Sequence, residues 1–139
     1  MGEVEAHQYK GEWLVPVIDM DTGENVNLYN VRNGKFLCGG VSHRAASVIN
    51  RGPYSTIKTK IICVNFSDAL KLAIEHDKND ILIAHSPYNL KLIVDNIKGD
   101  FIPAISADDT HAHSLTNSHA YIFIDGDTFT WKLKGEDFE

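Results

Sequence analysis

Cysteine is scarce in this 139-residue chain, with Cys38 and Cys63 the two it has. Two such residues make neither a disulfide framework nor the paired spacing of a zinc site, and Cys63, inside an apolar run, reads as a small core residue. A reducing, cytoplasmic setting fits that usage. Long apolar runs are missing too: none approaches the roughly 20 residues that span a bilayer. Met1 to Glu12 is polar and acidic and lacks the apolar segment of a signal peptide. Cationic charge is the third shortage. Thirteen Lys and Arg stand against 19 Asp and Glu, a formal net charge of −6, which argues against a free-standing protein that grips phosphate backbones by bulk electrostatics. There are no internal repeats and no low-complexity linker.

What is present suits one globular domain, with 43% hydrophobic and 23% charged residues and enough length to bury a core unaided. The chain is organised around Lys60 to His76. Ile61, Ile62, Cys63 and Val64 form a short apolar run, the mark of a strand buried on both faces. A polar turn follows, and Ala69, Leu70, Leu72, Ala73 and Ile74 then recur at helical spacing. Ser67 or Asp68 is the expected cap of that helix. The pattern repeats: Ile81 to Ala84 is a second buried strand, Ser86-Pro87 opens a helix carrying Leu90, Ile93, Val94 and Ile97, Gly99 closes it, and Phe101 to Ile105 is a third strand. Strand, helix, strand, helix, strand at this spacing implies a parallel sheet with right-handed crossovers.

The flanks follow another rhythm. Trp13 to Ile18 is an apolar strand whose proline suggests an edge or a strand start. Asn25 to Val31 alternates polar and apolar, Asn33-Gly34 is a strong hairpin signal, and Lys35 to Cys38 forms a third short strand, so residues 11–38 read as an antiparallel meander. Val41 to Thr59 reads as a connector with a short helix at Ala45 to Ile49, broken by Gly52-Pro53. At the other end, Tyr121 to Ile124 and Thr128 to Leu133 flank Asp125-Gly126-Asp127 as a hairpin.

In this order the chain resembles the Toprim region of plasmid- and phage-type DNA primases. GEWLVPVIDMDTGENVNLYNV is similar to the lead-in of that family, NGKFLCGG to the segment after it, and IICVNFSDALKLA to the stretch holding the catalytic glutamate. ILIAHSPYNLKLIVDNI, FIPAISADDT and KGEDFE resemble three later segments. The resemblance implies one domain over 1–139, with a β lead-in at 11–40 and a Toprim-like core at 57–139. The expected fold is therefore α/β: a Toprim-like parallel sheet with flanking helices, preceded by a small antiparallel meander. It also implies a damaged active site. Val64 and Asn65 stand where the family has its glutamate and the following glycine. Asp108-Asp109-Thr110 matches the Asp-x-Asp signature with its second aspartate replaced. A Toprim centre needs clustered carboxylates because hard Mg²⁺ takes oxygen ligands, so the resemblance implies a non-catalytic chain.

Several residues are candidates for a remaining site. Asp108 and Asp109, with His111 and His113 alternating beyond them, form a conceivable set for Mg²⁺ or Mn²⁺, against the simpler reading of an exposed polar turn. Asn65, Asp68 and Asn89 belong to turns that a parallel sheet brings to one edge, where they could bind a polar ligand, although capping accounts for each separately. Arg44, Arg51, Lys58 and Lys60 are the densest basic region and the candidates for nucleic-acid contact, or else a solvated connector. Three functional readings follow. One is a degenerate domain of a phage- or plasmid-type replication protein that binds nucleic acid, a nucleotide or a protein. Another is an active metal-dependent primase or nuclease with a rewired Asp/His site. The last is a mobile-element protein that binds and inhibits a host factor.

Overall fold

The computed structural model describes residues 3–4, 7–9, 12–40, 43–50, 58–106 and 120–133. Among them are eleven strands and two helices: β1 (Glu3–Val4), β2 (His7–Tyr9), β3 (Glu12–Asp19), β4 (Asn25–Asn30), β5 (Lys35–Phe36), β6 (Ala45–Asn50), β7 (Lys60–Cys63), α1 (Phe66–Glu75), β8 (Ile81–Ile83), α2 (Pro87–Asn96), β9 (Phe101–Ser106), β10 (Ala120–Asp125) and β11 (Thr128–Leu133).

The apolar runs become the middle of one sheet. Its order is β11-β10-β9-β7-β8-β6-β3-β4-β5, with β1 beside β6 and β2 beside β3. Parallel pairing is confined to β10-β9-β7-β8. Every other pairing is antiparallel, so the sheet as a whole is mixed and mostly antiparallel rather than parallel. The expected parallel strands near 61, 81 and 101 and their two helices are present within it.

The two helices pack on opposite faces. Ala69 and Leu72 of α1 join a core with Ile61, Cys63, Ile81, Ile83, Ala104 and Ile122. Leu90 and Ile93 of α2 join a second core with Ile62, Val64, Leu82 and Ala84. Consecutive strand residues therefore face different cores, which is why these strands are apolar throughout instead of alternating. Burying one such leucine is worth about 1.5–3 kcal/mol.

Local chemistry sets the helix starts. Asn65, not Ser67 or Asp68, caps α1, its side chain accepting a hydrogen bond from the Asp68 N–H. Ser86 caps α2 in the same way, with Pro87 in the first turn. Both caps are extended residues just outside the helix, and Ser67 and Asp68 already lie inside it.

Two further expectations change. Ala45 to Ile49 belongs to a strand rather than a helix, and β6 pairs with β8 on one side and β3 on the other. Alanine favours a helix locally, but Ala45, Ala46, Ser47 and Ile49 are all buried, and a slot between two strands outweighs that weak preference. Pro16 stands inside β3, not at an edge. β2 pairs with Glu12 to Leu14 and β6 with Ile18 and Asp19, so the proline falls between two partners, where a missing donor is tolerated. The meander itself is as expected, β3, β4 and β5 in succession. Of its apolar residues, Val17 is buried and Val26 is 44% exposed.

The meander is joined to the parallel strands through β6, so removing residues 1–40 should strip β6 of a neighbour and uncover Ala46. The truncated chain is expected to bind a hydrophobic dye or aggregate. A soluble fragment of 41–139 with a cooperative thermal transition would show the meander to be dispensable.

Candidate functional site

The connections define where a ligand would sit. β7 leads through α1 to β8 on one side, and β8 leads through α2, on the other face, to β9 on the far side of β7. The order in which strands are added thus reverses at β7, between β7 and β9, and a crevice opens outside the carboxyl ends of such strands. A cleft of about 660 Å³ lies there, lined among others by Asn65 and Asp68 after β7, Ser106 at the end of β9, and Tyr29 from β4. Ser67 and Lys71 of α1 also line it.

Two of the expected ligand-binding residues therefore reach this cleft, and they are tied to each other. Asn65 Oδ1 accepts from the Asp68 N–H at 2.8 Å, and Asn65 Nδ2 donates to Asp68 Oδ2 at 3.2 Å. A carboxylate in the first turn of a helix also sits favourably in the field of its N–H groups. Lys71 Nζ donates to the Gly126 carbonyl at 3.2 Å, which ties α1 to the β10–β11 turn.

Asn89 does not line the cleft. It is wholly buried and its amide is committed: Nδ2 donates to the Ala45 and Ala84 carbonyls at 2.8 and 2.9 Å, and Oδ1 accepts from the Arg44 N–H at 2.7 Å. The capping and bracing role accounts for it fully.

Among the described residues, Arg44 and Lys60 are not gathered into one patch. Arg44 precedes β6 at the end of the sheet nearer the cleft, and Lys60 opens β7 at the other end. The six residues of β6 separate the two levels, roughly 20 Å at about 3.3 Å per residue. Arg44 Nη2 already meets Asp21 Oδ1 at 3.0 Å, and Lys58 is exposed. Arg51, Asp108, Asp109, His111 and His113 lie outside the described residues. Among the described residues, no three His, Cys, Asp or Glu side chains are placed to hold a metal.

One cluster carries no signal in the sequence. His85, just after β8, packs between Tyr29 and Phe36 of the meander, with ring centroids 4.3 and 5.1 Å away. Its Nε2 is 2.9 Å from Ser47 Oγ in β6. Burial lowers its pKa to about 4, so the ring is neutral near pH 7. Its φ of +70 is left-handed, as is Arg44 at +63, backbone that non-glycine residues adopt only when their surroundings hold them. Ser47 is buried completely, so the Ser47–His85 contact positions the ring rather than presenting a nucleophile. Burial likewise pushes the Cys63 thiol up, leaving it protonated and inert.

Two outcomes follow. Asn89→Ala removes the partner of one part-buried N–H and of two buried carbonyls, so chemical denaturation should show a loss of about 2–4 kcal/mol; a loss below 1 kcal/mol would remove the bracing role. His85, neutral when folded, contributes stability that is complete above its ordinary pKa of 6.5 and falls as pH drops from there toward 4. The loss across that window is on the order of 3 kcal/mol. His85→Asn, which tolerates the left-handed backbone, should flatten that limb of the stability–pH curve, and an unchanged limb would place the titration elsewhere.

Comparison of the chain with protein-family models, with curated proteins and with solved structures gives no match.

Proposed function

We propose that this chain is a non-catalytic, Toprim-like domain of a primase-type replication protein, and that it holds a nucleotide or a short stretch of nucleic acid in the cleft between β7 and β9. The observation that carries this reading is the end of β7. Val64, at the position where the resemblance places a catalytic glutamate, is buried in the α2-side core and can neither ligate a metal nor move a proton. The cleft beside it keeps polar side chains and an aromatic ring, Asn65, Ser67, Asp68, Lys71 and Tyr29. Such a wall suits recognition by hydrogen bonding and stacking. The net charge of −6 supports the same emphasis, because a ligand held this way depends little on phosphate neutralisation.

Fluorescence anisotropy with a labelled nucleoside triphosphate and a labelled short single strand tests the reading. At least one probe should bind, with a shallow salt dependence. Ser67→Trp, at an exposed position of the cleft wall, should weaken binding at least about tenfold while changing stability by no more than about 0.5 kcal/mol. Binding of neither probe would leave a protein-binding module instead. In parallel, millimolar Mg²⁺ or Mn²⁺ should leave the thermal transition unmoved. Strong stabilisation by either ion would mean that Asp108, Asp109, His111 and His113 hold a working metal site, and the metal-dependent enzyme would replace this proposal.

A further inference from the structure

β11 ends the sheet. It pairs with β10 along all six of its residues and, among the described residues, with nothing on its other side. The preceding turn decides which of its peptide groups are free. Gly126 and Asp127 form a two-residue loop inside the Asp125–Thr128 pair, and Gly126 has φ +60, the backbone of a type II′ hairpin. The pair flanking such a loop exchanges hydrogen bonds, and bonded pairs then alternate with non-bonded ones. Thr128 and Thr130 thus aim their peptide groups at β10, whereas Phe129 and Trp131 aim theirs outward.

Sheet edges are usually blunted by shortness, proline, lysine or a bulge. β11 has six residues, no proline and no register shift, and beside its one lysine, Lys132, it presents Trp131, 57% exposed. Phe129 stands opposite Ile124 and Trp131 opposite Ile122, isoleucines of the α1-side core, so both aromatics lie on the α1 face. Phe129 packs against that core, and Trp131 extends beyond it.

Symmetry restricts how a second copy could complete this edge. Two identical edges that pair antiparallel are related by a two-fold axis perpendicular to the sheet, which keeps both α1 faces on one side. Opposite residues must share a face. An axis through Thr130 meets this condition and sets each Trp131 opposite the partner's Phe129, both with free peptide groups. It covers the exposed indole with an aromatic cross-strand neighbour. Charge agrees with the direction. Asp125 and Asp127 stand at the start of the strand and Lys132 near its end, so antiparallel copies bring acid toward base and parallel copies would bring like toward like.

We propose that β11 is a self-recognition edge, through which two copies of this chain join their sheets antiparallel about a two-fold axis at Thr130. An interface built on one strand lies at the small end of the range for stable complexes, about 1,200 Å² or less. The dimer therefore forms at high protein concentration and dissociates on dilution.

Sedimentation equilibrium over a wide concentration range should show the mass rising from 15.5 kDa toward twice that value. Trp131→Lys, which places a charged guard residue on the aromatic face of the edge, should remain a monomer with an unchanged circular dichroism spectrum. A second measurement does not depend on that variant folding. In a Cys38→Ser background, Thr130→Cys places two thiols across the axis in a non-bonded pair. Their Cα atoms would be about 4.5 Å apart, within disulfide range. With diamide as oxidant, Thr130→Cys should cross-link to a dimer at least ten times faster than Thr128→Cys. A parent that stays monomeric at every concentration, a dimer that survives Trp131→Lys, or faster cross-linking through Thr128→Cys would each overturn the proposal.

Discussion

The side-chain amide of Asn89 binds three elements at once: α2 from which it projects, the end of β8 through Ala84, and the entry to β6 through Arg44 and Ala45. It is wholly buried, and a buried polar group left without a partner costs about 1–3 kcal/mol. Its position matters more than its energy. β8 runs parallel to β7, and β6 runs antiparallel to β8. Asn89 stands where the sheet changes character, holding Arg44 in left-handed backbone. The Arg44 carbonyl in turn accepts from the Met20 N–H. The meander strands β3, β4 and β5 are reached only through β6, so their place in the sheet depends on this junction.

A second fastening returns from the meander to the parallel strands. Tyr29 and Phe36 close on His85, and Ser47 holds the ring from β6. Tyr29 also walls the cleft at the β7 and β9 ends, so the shape of the candidate site is tied to the packing of a histidine that does not itself line it. Phe36, on a strand of two residues, has little ladder of its own and is held largely by this aromatic contact.

The elements legible in the sequence were those whose pattern has one physical cause. Ile61 to Cys63, Ile81 to Ile83 and Phe101 to Ile105 are apolar because both sheet faces are covered, and Asn33-Gly34 turns because Gly34 takes φ +71. β6 was not legible, since Ala-Ala-Ser-Val-Ile has small residues that suit a helix until two neighbouring strands leave only a slot. The α1 cap lies two or three residues earlier than expected because Asn, Ser and Asp are near-equal caps and all three occur at its start. Asn65 and Asp68 lie at the edge where the cleft opens, as turns after a parallel strand do. Asn89 shares that edge in the sequence pattern but turns inward, and no spacing distinguishes a buried amide from an exposed one. His85 had no periodic partner in sequence, because its neighbours come from β4, β5 and β6.

What the cleft retains also limits what it can do. General acid–base chemistry needs a group that exchanges protons near working pH and can reach a substrate. Cys63 is buried and its thiol pushed up. His85 is pulled down to about 4 and engaged by Ser47 behind the wall. The Asp68 carboxylate is met by the Asn65 amide and Lys71 by the Gly126 carbonyl. Among the described residues, these four groups are therefore either withdrawn from the crevice or already partnered by a neighbour. A ligand entering meets a tyrosine ring, hydroxyl groups and a braced helix start. On the proposed reading, these groups would select a ligand by its shape and hydrogen-bonding pattern.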